Sequence, residues 1–187
     1  MQEPKTAQTA QILIVDDSPT QAKLLEQVLL AHGYQVSVSR NGAEALQQIL
    51  TRAPDLVISD IMMPEMDGFE LCRQIRGFEP LKCLPIILLT HLNDPADVLH
   101  SLEAGADYFI SKPYNNKLLL SRIATTLQRE VTSYQEQKDG AVTLNYHGQD
   151  YLINAPKAQI IDLLLATYEL AAEKNQELLT LRSVAGR

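Results

Sequence analysis

The chain has 187 residues, 16 Lys+Arg, 23 Asp+Glu and a formal net charge of −7. That length allows one domain with a substantial appendage or two small domains, and the 45% apolar share supplies a core. The acidic balance opposes bulk electrostatic binding to nucleic acid or an anionic membrane, no apolar run reaches the roughly 18–20 residues of a bilayer span, and two cysteines make neither a disulfide framework nor a four-cysteine zinc site. Cys72 and Cys83 are both expected as reduced core thiols of a cytoplasmic protein. The polar stretch 1–10 reads as a disordered tail.

In chain order, Ile12-Leu13-Ile14-Val15 is a short apolar run stopped by Asp16-Asp17-Ser18-Pro19, as in a strand buried on both faces. Ser18 is an expected N-cap with Pro19 at the first helical position, and Gly33 stops the helix. Val36 and Val38 alternate with serines, a strand; Asn41 then caps a helix that ends before Pro54. Leu56-Val57-Ile58 runs into Ser59-Asp60, followed by a helix over 67–77. Residues 85–89 run into Thr90, Asn93-Asp94-Pro95 opens a helix closed by Gly105, and 108–110 runs into Ser111-Lys112-Pro113. A fifth helix extends from about Asn115 towards Gln137. This alternation predicts an α/β fold, a doubly wound five-stranded parallel sheet. Beyond Asp139-Gly140, residues 142–146 and 151–153 read as a β-hairpin around Gly148, and a long helix follows from Pro156 to Arg182.

Sites in such a sheet form outside the carboxyl ends of the strands. There the sequence places Asp16 and Asp17, Asp60, Thr90 and Lys112, each directly after an apolar run. Three clustered carboxylates repel unless a cation sits among them, and oxygen ligands suit a hard divalent ion, Mg²⁺ above all. A central Asp60 then has the chemistry of a nucleophile towards phosphorus, with Lys112 neutralising charge and the Thr90 hydroxyl bonding a phosphoryl oxygen. A phosphatase of the haloacid dehalogenase type needs a second Asp two residues after the nucleophile, where this chain has Met62. A dinucleotide site needs a Gly-rich first turn, where this chain has an acidic pair.

These segments resemble the receiver domain of two-component response regulators, a flavodoxin-like fold. The matching stretches are ILIVDDSPTQAKLL, PDLVISDIMMPEMDGFELCRQIR, LPIILLT and GADYFISKPY, within residues 11–128. The resemblance implies phosphorylation of Asp60 by a histidine kinase or phosphotransfer protein. It implies Mg²⁺ held by Asp17 and Asp60 with Asp16 beside them and the Met62 carbonyl completing the protein's ligands. It also implies a switch through Thr90 and Phe109, the latter being equally a core aromatic. The residue after Thr90 is usually small in the family; here it is His91, which either narrows access to Asp60 and slows phosphoryl exchange or points to solvent.

Residues 129–155 read as the end of the fifth helix and the hairpin, and 156–187 as an amphipathic, coiled-coil helix. Ile161, Leu164, Tyr168, Ala171, Asn175, Leu178 and Arg182 alternate at spacings of three and four, a heptad seam for a parallel homodimer in which Asn175 sets register; the other reading docks this helix on its own domain. Residues 128–187 hold six Lys+Arg against eight Asp+Glu, so no DNA-binding output is expected. The segment resembles connectors that precede output domains in hybrid histidine kinases. The chain is therefore expected to be a phosphoacceptor switch rather than an enzyme. The alternatives are the N-terminal receiver of a longer multidomain regulator and a constitutive dimeric adaptor.

Overall fold

Strand β1 (Gln11–Val15) is apolar and buried from Ile12 to Val15 because both of its faces are covered. Ile12 and Ile14 enter one buried cluster, Leu13 and Val15 another on the opposite face. A computed structural model describes residues 10–90, 100, 103–127, 142–146, 149–153 and 160. Ala10, which the sequence reading placed in the tail, is instead buried, and its carbonyl accepts the Gln35 N–H at 3.0 Å because β2 pairs alongside it.

Helix α1 (Pro19–Ala31) starts on Ser18, whose Oγ accepts the Gln21 N–H at 3.5 Å, and Gly33 turns the chain at φ 84°. Strand β2 (Gln35–Ser39) leads to helix α2 (Gly42–Thr51), where Asn41 Oδ1 accepts the Glu44 N–H and Glu44 Oε2 accepts the Arg40 N–H. Strand β3 (Leu56–Asp60) is buried along its whole length and feeds helix α3 (Gly68–Gly77), capped by Asp67. Strands β4 (Ile86–Thr90) and β5 (Tyr108–Ser111) precede helix α4 (Asn116–Leu127), the described part of the predicted fifth helix. Of the predicted fourth helix, His100 and 103–104 are helical and Gly105 follows at φ 78°.

The five strands are all parallel, in the order β2-β1-β3-β4-β5. The order reverses at β1, so the crevice above β1 and β3 is the switch point where such folds place their sites. Helices α1 and α4 contribute Leu25, Leu29, Leu119 and Ile123 to one core face; α2 and α3 contribute Ile49, Leu71, Cys72 and Ile75 to the other. Cys72 is thus a core thiol, as expected, but Cys83 is exposed, because it lies in the turn before β4 rather than in a strand or helix.

The chain divides into two compact units, Met1–Arg129 and Glu130–Arg187. In the second, β6 (Val142–Tyr146) pairs antiparallel with β7 (Gln149–Ile153) in the register Tyr146↔Gln149, leaving two residues between the strands. β7 therefore starts two residues before the expected 151, since a two-residue connection lets the pairing run right up to the turn. Apart from Ile160, which is helical, the segment 156–187 lies outside the described residues, and so does the proposed heptad seam. Among the described residues, no helix is long and apolar enough to cross a membrane.

Candidate functional site

Strand pairing brings the predicted residues to one end of the sheet. Val15, the residue before the acidic pair, is in register with Ser59. Asp60 is in register with Leu89, and Thr90 with Ser111, so Thr90 and Lys112 follow one strand over. Carboxylate oxygens of Asp16, Asp17 and Asp60 all lie within 4.8 Å of one another. Asp16 and Asp60 are buried, while Asp17 faces solvent, so the cluster has a wet side through which an ion can enter.

Each buried carboxylate is held at both oxygens. Asp16 Oδ1 accepts the Ser18 N–H at 2.9 Å, which fixes the start of α1, and Oδ2 lies 3.5 Å from Lys112 Nζ. Asp60 Oδ1 accepts the Ile61 N–H at 2.8 Å, and Oδ2 lies 3.0 Å from Lys112 Nζ. The ammonium is itself buried, its side chain only 5% exposed, so its attraction to both anions is little screened. Burial pushes the Asp16 carboxyl above its ordinary value; the Ser18 N–H and the Lys112 charge pull it back only in part, and Asp60 adds to the rise. A divalent cation would relieve that cost, and three convergent carboxylate oxygens are the donor set that hard cations take.

Thr90 is buried, and its carbonyl accepts the Lys112 N–H at 2.6 Å, which ties the end of β4 to the residue that carries the ammonium. Met62 lies in the loop after β3 and is 77% exposed. That loop turns sharply: Glu65 takes φ 65°, Met66 N–H bonds the Pro64 carbonyl, and Gly68 N–H bonds the Ile61 carbonyl at 2.9 Å. A Cβ on Gly68 would sit 2.4 Å from the Asp60 carbonyl oxygen, so only glycine lets α3 begin this close to the site. Phe109 is partly buried against the core face formed by α2 and α3. His91 lies outside the described residues.

Two residues near the site escape the sequence reading. Gln21 Oε1 accepts a hydrogen bond from Lys112 Nζ at 2.8 Å, across 91 residues of sequence. Its one signal was position: it stands in the first turn of α1, just after the acidic pair. Tyr114 is half-buried, and its phenol is pushed above its ordinary value by burial first and then by the charges of Asp16 and Asp60.

An aspartate thus stands between a buried ammonium and two further carboxylates at the switch point of a five-stranded doubly wound sheet. The response regulator receiver domain family matches residues 12–124, and the chain belongs to that family. It is 43% identical over 118 residues to the transcriptional regulatory protein GltR of Pseudomonas aeruginosa, a match covering 63% of this chain and 49% of GltR. It is 34% identical over 178 residues to the transcriptional regulatory protein AfsQ1 of Streptomyces coelicolor, covering 91% of this chain and 77% of AfsQ1. Among solved structures, the signal receiver domain of a histidine kinase from Syntrophus aciditrophicus superposes with a TM-score of 0.63 at 48% identity, covering 66% of this chain and 96% of that one. The chain spans about half the length of GltR.

Proposed function

We propose that this chain is a phosphorylation switch whose acceptor is Asp60. The observation that carries the reading is the contact of 3.0 Å between Lys112 Nζ and Asp60 Oδ2 beside two further carboxylates. The donor is a histidine kinase or a phosphotransfer protein carrying a phosphohistidine. An oxygen of Asp60 attacks the phosphorus, an O–P bond forms, and the N–P bond to the partner's imidazole breaks. Lys112 moves its contact from the carboxylate to the phosphoryl oxygens. The Thr90 hydroxyl accepts the role of second contact to those oxygens, and Phe109 repacks with it as the readout. Mg²⁺, held by Asp17 and Asp60 with Asp16 beside them and the Met62 carbonyl, supplies charge neutralisation for the transferred group when bound. The chain carries no catalytic activity beyond this self-directed phosphoryl chemistry, acts in the cytoplasm, and passes its signal through a homodimer or a protein partner.

The test is incubation of the full chain with Mg²⁺ and a small phosphodonor, read by intact mass. The wild type gains a phosphoryl group and Asp60→Ala does not; a wild type that gains nothing overturns the reading in favour of a constitutive adaptor. The share of GltR that the chain spans also supports a second reading, the receiver module of a longer multidomain regulator. Both GltR and AfsQ1 are named as transcriptional regulators. For this chain's own residues we expect no DNA binding, because residues 128–187 carry an excess of two acidic groups over basic ones. A salt-dependent gel shift by the full chain would reverse that expectation.

A further inference from the structure

We propose that Gln21 is a positioning residue for phosphoryl transfer, holding the Lys112 ammonium in place through its carboxamide oxygen. This rests on the reading of Asp60 as phosphoacceptor and adds a residue to that site.

The ammonium of a lysine has three N–H donors and no acceptor. Here three acceptors surround it: Gln21 Oε1 at 2.8 Å, Asp60 Oδ2 at 3.0 Å and Asp16 Oδ2 at 3.5 Å. The shortest contact is to the only neutral partner. Two anions alone would leave the long, flexible lysine side chain free to lean towards either carboxylate, or between them as an ion arrives. A third acceptor on another element removes that freedom.

The frame that carries Gln21 is tied to the same carboxylates. Asp16 Oδ1 accepts the Ser18 N–H at 2.9 Å and Ser18 Oγ caps the helix at the Gln21 N–H, so the first turn of α1 is locked to the acidic pair. Once Asp60 is phosphorylated to the acyl phosphate, its oxygen becomes a poorer partner for Lys112. Gln21 and Asp16 then remain as the two anchors from which the ammonium reaches the phosphoryl oxygens. The neutral contact thus sets where the positive charge stands at the moment of transfer.

Gln21 is exposed, so its replacement leaves the core intact. The experiment compares wild type, Gln21→Met and Gln21→Glu in the full chain. Met fills the same space without an oxygen acceptor; Glu keeps the oxygen and adds charge. The rate of acyl-phosphate formation with Mg²⁺ and a small phosphodonor should fall about tenfold in Gln21→Met, the scale expected for a misplaced reacting partner, and stay within about threefold of wild type in Gln21→Glu. In parallel, the ¹⁵N-lysine spectrum of metal-free protein should show a slowly exchanging Lys112 ammonium in wild type and Gln21→Glu, absent in Gln21→Met. A Gln21→Met rate within twofold of wild type, equal slowing in both variants, or an unchanged ammonium signal in Gln21→Met would each overturn the positioning role. A wild type that takes up no phosphoryl group instead overturns the reading of Asp60, and this inference with it.

Discussion

Cys72 shows how a single buried side chain ties stability to pH. Its thiol packs in the core face under α2 and α3, and burial pushes it from 9.0 up to about 11, with the nearby Arg76 charge opposing and Asp107 adding to the rise. Below 9.0 the thiol is protonated in the folded and unfolded chain alike, and pH has no leverage through it. Between 9.0 and about 11 the unfolded chain releases this proton and the folded chain keeps it, so stability falls as pH rises through that window. Two pKa units correspond to at most about 2.7 kcal/mol. Urea unfolding of wild type and Cys72→Ala across the window should show the variant less stable at the lower end and the gap closing towards the upper end; parallel curves would count against a buried, neutral thiol. Cys83 is exposed, so a disulfide reagent applied to native protein should titrate one thiol fast and the second only on unfolding. Gly68 is a different residue-scale constraint, one of space. Its Cβ would meet the Asp60 carbonyl oxygen at 2.4 Å and the Ile61 Cα at 3.0 Å, both backbone atoms that cannot rotate away. Gly68→Ala should cost about 2–3 kcal/mol by denaturant unfolding, the upper part of the range for overpacking because backbone must shift, and should weaken Mg²⁺ binding because Asp60 moves with its backbone.

At the scale of elements, the end of the sheet away from the site is fastened by one side chain. Arg76, in the last turn of α3, donates Nε to the Gly105 carbonyl at 2.8 Å, one terminal nitrogen to the Leu84 carbonyl at 2.7 Å, and the other to Asp107 Oδ2 at 2.8 Å. Asp107 Oδ2 also accepts the Ile86 N–H at the head of β4. One guanidinium therefore joins α3, the approach to β4 and the approach to β5. The pair is partly exposed, with side chains at 21% and 25%, so screening trims its worth. Arg76→Ala should cost about 2–3 kcal/mol, since charged donors to three acceptors are lost together. Arg76→Lys should recover little, because an ammonium cannot reproduce the fork. None of this was legible beforehand, and the reason is range. The caps Ser18 and Asn41 could be read because each bonds an N–H three residues on, and the strands because apolar runs stop at turn residues. The five polar residues at strand ends could be read because topology alone brings strand ends together. Arg76 with Asp107, or Gln21 with Lys112, join residues 31 and 91 positions apart through side-chain reach that no local pattern encodes. Cys83 was misplaced for a related cause: a thiol's apolar character says nothing about whether its turn is covered.

For the whole molecule, the open matter is what the receiver acts upon, and the sequence from 161 to 182 frames it. Ile161, Leu164, Tyr168, Ala171 and Leu178 recur in the sequence at heptad spacing, with Asn175 in the same register. A helix with such a stripe gains by burying it against a copy of itself, and a polar residue at a core position favours the parallel, in-register pair in which the two amides meet. The dimer proposed on this basis does not depend on Asp60. Light scattering should then give twice 20.8 kDa for the full chain both without additives and with Mg²⁺ and beryllofluoride, an acyl-phosphate mimic. Replacing Leu164 and Leu178 together by Glu should return the mass to that of one chain, because four like charges would meet across the seam, and should leave phosphoryl uptake at Asp60 unchanged. A chain that is monomeric until beryllofluoride is added would move the interface to the receiver itself, and would overturn the proposal that the 161–182 segment holds two copies together.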